Sequence, residues 1–324
     1  MTFEQELMRT RSALFLDGWL RFNEETWGYK AERVMYALPG KDRPALEAVL
    51  YLDRRGHVRM PPCNAYLPLQ FFPTPTEKNC QLYTQWMSVA KLLAEDIDKR
   101  GISSSIAFPP GFVDARAFQW LGYEVTFHYT FVTKLPLNEM HMDKRVMGHI
   151  EKAKKLGYYV ERTNNCEEIL FCLEKTSQFQ KFDNICSQSV FKKLENSLHN
   201  EYLFAHVSYD QNDMPCSAQI KLMMPNGICI GWQAGTDRQH IKNGVNQLLY
   251  YSAIDDLIRS GGKYFDNCGA NIESVASAKA AWGFELVPYM CISDHSLRGK
   301  AKNLIGRIHG ARKTWHYMKR MLKR

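Results

Sequence analysis

The chain has 324 residues, 45% apolar and 23% charged, which is ordinary globular usage and excludes collagen-like, disordered and coiled-coil classes. The net charge of +8 is localised: residues 298–324 hold ten Lys/Arg and no acid, leaving 32 basic against 34 acidic groups in residues 1–297. A near-neutral body with a cationic end seeks phosphate, on lipid head groups, nucleic acid or a nucleotide-linked substrate.

No apolar run approaches a bilayer span, and the acid-bearing start Met1–Ser12 lacks the apolar core of a secretory signal. The nine cysteines are scattered without a CxxC pair, so reduced thiols, a cytoplasmic setting and no metal site are expected.

In chain order, Val34–Leu38 and Ala45–Leu52 read as strands. Asp53-Arg54-Arg55-Gly56 is a turn, with a return strand expected near His57–Met60. Leu67–Phe72 is a third apolar run. Leu82, Trp86, Val89, Leu93 and Ile97 follow at helical spacing, stopped by Gly101. Ser105–Phe108 is a short strand, Val113–Leu121 a helical stretch and Tyr123–Val132 a strand.

Three further helices are expected over Lys144–Leu156, Cys166–Phe179 and Val190–His199. The earlier order then recurs. Glu201–Tyr209, Ser217–Met224 and Ile228–Ala234 are strands, and Val245–Leu257 is a helix stopped by Gly261-Gly262. Tyr264–Asp266 is a strand, Val275–Trp282 a helix and Glu285–Ile292 a final strand.

An offset of 161 residues aligns Gly122-Tyr123-Glu124 with Gly283-Phe284-Glu285, and Ile97 with Ile258. The pattern implies an internal duplication. The expected fold is α/β (α+β): two tandem units over 1–136 and 137–296, each a mixed sheet flanked by helices, then a basic tail over 297–324.

The sequence lacks the phosphate loop, the dinucleotide fingerprint, the zinc-protease pair and the serine nucleophile elbow, which argues against those chemistries. Gly235–Gly244 joins a strand to a helix. Within it, Gln239-x-x-Lys242-x-Gly244 partly matches the acetyl-CoA loop [RQ]-x-x-G-x-[GA], with lysine at the first glycine. It reads equally as a pyrophosphate cradle at a helix N-terminus or as a solvated connector capped by Asn243. Asp266 closes a strand where clefts form, and Lys279 stands on the next helix. On composition alone they read as a cap and a surface lysine. The tail spaces Leu297, Ala301, Leu304, Ile308, Trp315 and Leu322 as an amphipathic basic helix, or as two with a break at Gly310. That helix either packs on the body or meets an anionic membrane or RNA.

Several segments together resemble the FemABX peptidyltransferases and FemAB-like members of the GNAT superfamily. Phe265-Asp266-Asn267-Cys268-Gly269, Lys279-Ala280-Ala281-Trp282-Gly283-Phe284 and Pro288-Tyr289 are similar to that group's "FD-x-x-G … FK-x-x-FG … Y". Ile150–Tyr158 resembles its "I-x-K-A-x-K-x-G", and Pro109-Pro110-Gly111, Gly122-Tyr123-Glu124 and Tyr129-Thr130-Phe131 fit in the first half.

The resemblance implies transfer of an acyl or aminoacyl group from a CoA thioester or aminoacyl-tRNA, with no tightly bound cofactor. The acceptor would be an amine, for example on a lipid- or nucleotide-linked cell-wall or polysaccharide precursor. It implies that Lys279 and Asp266 serve the reaction and that Trp232, Arg238, Gln239, Lys242, Asn243 and Gly244 face the donor. Ala278 replaces the family's phenylalanine before Lys279. Residues 298–324 would contact tRNA or the inner membrane face. The alternative is a non-catalytic GNAT-like binding module, or an RNA- or membrane-surface protein.

Overall fold

The computed structural model describes residues 2–180 and 186–294. The expected tail helix over 297–324 lies outside them.

Two helices that the periodicity did not reveal open the chain. α1 (Phe3–Arg9) is opened by a capping box between Thr2 and Gln5, and α2 (Asp17–Trp27) ends on left-handed Gly28. β1 (Lys30–Ala37), β2 (Pro44–Leu52) and β3 (Leu69–Phe71) form a three-stranded antiparallel sheet. β2 is its central strand, and its alternation serves two cores. Val49 and Tyr51 pack with Trp19 and Phe22 of α2, while Leu46, Ala48 and Leu50 pack with Trp86, Val89, Leu93 and Ile97 of α3 (Asn79–Arg100). The return strand expected near His57–Met60 is not formed. Only Val58 bridges, to Leu52 and Ile102, because Pro61-Pro62 ends the run and supplies no N–H donors.

β4 (Ile106–Ala107), α4 (Arg116–Trp120) and β5 (Glu124–Lys134) complete the first series. α5 (Lys144–Lys155), the short edge strand β6 (Tyr159–Arg162), α6 (Cys166–Gln180) and α7 (Gln188–Tyr202) intervene. The order of the first series then returns. β7 (Leu203–Tyr209), β8 (Pro215–Leu222) and β9 (Ile228–Thr236) precede the short helix α8 (Arg238–Ile241) and α9 (Val245–Arg259). β10 (Tyr264–Asp266), α10 (Glu273–Ala280) and β11 (Glu285–Ser293) end it.

The strands after β3 join one eight-stranded sheet in the order β4-β11-β5-β10-β9-β8-β7-β6. Its connectivity differs from two self-contained sheets. β5 of the first series pairs antiparallel with β10 of the second, and β11 pairs antiparallel with β4 of the first. Each half therefore lends its last strand to the other. β5 and β11 also pair with each other, and His128 lies opposite Tyr289, two residues that the 161-residue offset also equates. A pseudo-twofold axis passes between them. Gly122 and Gly283 take φ of +87° and +70° at matching turns before these strands, a region that favours glycine.

Candidate functional site

β9 and β10 are parallel neighbours, paired from Ile228/Tyr264 to Ile230/Asp266. β10 then stops, while β9 continues along β8 to Thr236. Two parallel strands that part at their carboxyl ends open a crevice there. Asp266 sits at its base, only 1% exposed. Its Oδ1 accepts from the Thr130 hydroxyl at 2.6 Å and the Cys268 amide at 2.9 Å. Burial raises its proton affinity above that of an ordinary carboxylate, against the pull of those two donors and of Tyr66. Burial also drives the Cys268 thiol well upward, with the Asp266 charge adding to it, so sulfur there stays protonated.

Lys279 of α10 reaches back to the segment after β10. Its ammonium donates to the carbonyls of Asn267, Cys268 and Gly269 at 2.7, 2.7 and 2.8 Å. All three N–H donors are thereby used. Lysine thus clamps a turn in which Cys268 takes φ +43° and Gly269 φ +82°. Burial lowers its proton affinity, and the nearby Cys268 and Asp266 oppose that shift. The ammonium can act on developing charge through its field and through the turn it holds, not by a spare hydrogen bond.

Residues that the sequence reading did not single out complete this cluster. The Tyr66 hydroxyl is buried beside Thr130 and Asp266 without a well-formed hydrogen bond. Its ring meets Tyr289 edge-on at 5.1 Å, and Tyr289 stacks on His128 at 5.7 Å. Asn271 donates to the Tyr129 carbonyl and reaches the Tyr289 hydroxyl at 3.4 Å. The site therefore lies beside the pseudo-twofold axis. Tyr129-Thr130 and Pro288-Tyr289 were among the resemblance motifs, which was the available signal. The Asn267 amide and the Tyr250 hydroxyl, facing Asp266 from α9, are also buried without partners.

Of the residues expected to face a donor, Arg238, Gln239, Lys242, Asn243 and Gly244 fall in a second group. Asp237 caps α8 through the Gln239 amide. The amides of His240, Asn243 and Gly244 donate to the carbonyls of Asp237, His240 and Ile241. The loop's N–H groups are therefore largely turned inward rather than presented as an anion cradle. α5 packs against this loop: Lys152 donates to the Lys242 carbonyl at 2.8 Å, and Asn243 to the Tyr158 hydroxyl at 2.9 Å. Gly244 has φ +83°, and a Cβ there would stand 2.1 Å from the His149 carbonyl oxygen. Arg238 is on α8 itself. Trp232 stands apart from these residues. Its indole donates to the Cys63 carbonyl at 2.9 Å and packs edge-on against Trp19 and Phe22. The structure thus joins Asp266 to Lys279, groups Arg238–Gly244 at the start of α9, and sets Trp232 in an aromatic wall against α2.

A cavity of about 330 Å³ lies between α1, the end of β3, the start of α3 and Pro288, with Phe71, Trp86, Met8 and Val113 among its apolar lining. The 161-residue offset equates Phe71 of this cavity with Trp232 of the aromatic wall against α2. Among the described residues, no helix is long and apolar enough to cross a membrane. Among the same residues, no cluster of three His, Cys, Asp or Glu could hold a metal ion.

Two series of one strand–helix order, exchanging their last strands around a shared axis, make up the fold, and that fold is shared with solved structures. The chain is similar in structure to FemX, with a TM-score of 0.61, 13% identity and coverage of 90% of this chain and 96% of that one. It is also similar to L-PGS from Bacillus licheniformis (TM-score 0.52, 12% identity, 89% and 94% covered). A third similar structure is a conserved protein of unknown function from Bacteroides thetaiotaomicron (TM-score 0.52, 13% identity, 89% and 95% covered). No protein-family model matches the chain, and no curated protein does.

Proposed function

We propose that this protein transfers an aminoacyl or acyl group to an amine, with the reaction centred on the β9/β10 crevice. The carrying observation is the buried Asp266 at the base of parting parallel strands, with the Lys279-clamped turn at the lip, in a fold shared with FemX. The amine nitrogen bonds to the donor carbonyl, the carbonyl's bond to sulfur or oxygen breaks, and the amine proton passes to the leaving group. No covalent enzyme intermediate is needed. The protein supplies positioning and a fixed field. Asp266 has almost no exposed surface, so it acts as a positioning residue through the Thr130 hydroxyl and the Cys268 amide.

The inward-turned amides of the 237–244 loop favour an aminoacyl ester, as on charged tRNA, over a donor gripped by its pyrophosphate. The apolar cavity of the first half suits an apolar portion of one substrate.

A panel of charged tRNAs and CoA thioesters, offered with diverse amines, tests this reading. Product from charged tRNA, reduced at least tenfold by Lys279→Met, is expected. Absence of product from every donor, with no donor stabilising the chain against heat, would instead support a binding module.

A further inference from the structure

The turn after β2 carries Arg54, Arg55, His57 and Arg59 within six residues. They line an open cleft of about 570 Å³, whose other wall is the link between α2 and β1, with Trp27 and Tyr29. The turn is shaped by Asp53. Its Oδ1 accepts from the amides of Arg55 and His57 at 2.8 and 3.1 Å, and its Oδ2 from the Ser103 hydroxyl at 2.8 Å. The one carboxylate lining the cleft is thus committed to the backbone and to Ser103, with His57 at 3.7 Å.

Among the described residues, Arg54, Arg55 and Arg59 make no ion pair, whereas Arg11, Arg33, Arg100, Arg116 and Arg145 each do. Three like charges gathered on one short turn repel each other unless an anion joins them. The Arg59 guanidinium lies 5.7 Å over the Tyr29 ring, the kind of platform on which a planar ring stacks. Trp27 adds an indole N–H that is buried without an acceptor.

We propose that this cleft is a binding site for a phosphate ester that carries a planar ring, of the nucleoside diphosphate type. Arg54 and Arg55 take the phosphates through their planar forks, and the ring lies at Tyr29 and Arg59. The cleft volume is within the range of small-ligand sites. The assignment goes beyond the transfer reading and is measured by binding alone, so either can fail without the other.

The test is calorimetric titration of the full chain with ADP, UDP, inorganic pyrophosphate and a twelve-nucleotide single-stranded RNA. Saturable binding of a nucleoside diphosphate is expected, weakened at least tenfold by Arg54→Ala/Arg55→Ala. Both side chains are exposed, so that variant should fold normally. Tyr29→Ala should weaken the nucleotides and leave pyrophosphate unchanged, and Arg59→Lys should weaken them while keeping the charge. Three results overturn the proposal. One is absence of saturable nucleotide binding. Another is binding undiminished in the double variant, which would assign the anion to other cations such as those of residues 298–324. The last is RNA binding without nucleotide binding.

Discussion

Replacing Lys221 by methionine should stabilise the protein at neutral pH and remove a pH dependence. Lys221 of β8 is 2% exposed, donates to Gln219 Oε1, and has its ammonium 5.4 Å from the Tyr250 ring and 5.9 Å from the Phe265 ring. Burial pulls its pKa from 10.5 down to about 7, against the attraction of Cys229 and Asp256. The unfolded chain therefore holds this proton more tightly than the folded one. Between pH 7 and 10.5 each rise in pH favours folding; below about pH 7 both states are charged and the full cost of burial applies. The gap between about 7 and 10.5, at 1.36 kcal/mol per pH unit, corresponds to about 5 kcal/mol. Methionine keeps the apolar stem and removes the charge. Equilibrium urea denaturation from pH 6.5 to 10 reads the effect as the free-energy difference between wild type and Lys221→Met. That difference should favour the variant by several kcal/mol at pH 7 and shrink as pH rises. A difference that stays level across this range would refute the reasoning, because the lysine would then titrate alike in both states.

Lys279→Met strips the carbonyls of Asn267, Cys268 and Gly269 of their donor; a loss of about 2–4 kcal/mol in thermal denaturation is expected, alongside the fall in transfer. For Asp266, whose folded proton affinity is raised, transfer that needs the carboxylate should fail as pH drops through a value above the ordinary 3.8. Asp266→Asn should lose that acid limb from the rate profile. The same raised affinity means that the ionised carboxylate weakens the fold as pH rises, so Asp266→Asn should be at least as stable at pH 7. Gly244→Ala would place a methyl 2.1 Å from the His149 carbonyl oxygen at φ +83°; a loss of about 3 kcal/mol or more, seen in thermal denaturation, is expected.

Element order was legible because strand and helix periods alternate strongly. Val245, Leu248, Leu249 and Leu257 announce α9, and all are buried. α1 and α2 were missed although Thr2 with Gln5 and the closing Gly28 were there to be read. β6 had no signal, since Tyr159–Arg162 is a four-residue strand at the sheet edge. The strand exchange was hidden for a different reason. β5 and β11 open with near-identical Gly-aromatic-Glu turns, so the pattern cannot tell which half either strand will join. The proximity of Asp266 and Lys279 was foreshadowed by motif order. The threefold carbonyl grip was not, because it depends on the turn conformation at Cys268 and Gly269. The arginine turn was visible as a turn only; Trp27, Tyr29 and Ser103 reach it through tertiary structure.

The interlocked last strands bear on how such a chain can be made. β4 acquires its β11 partner only when residues 285–293 have been synthesised, and β5 waits for β10 and β11. Until then the early half carries unpaired strand edges, including the exposed Phe127 and Tyr129 of β5, surfaces that invite a wrong neighbour. Cutting between the halves would strand both copies with an incomplete sheet. A duplication that closes in this way is inherited as one indivisible body, and neither copy is free to leave as a module of its own.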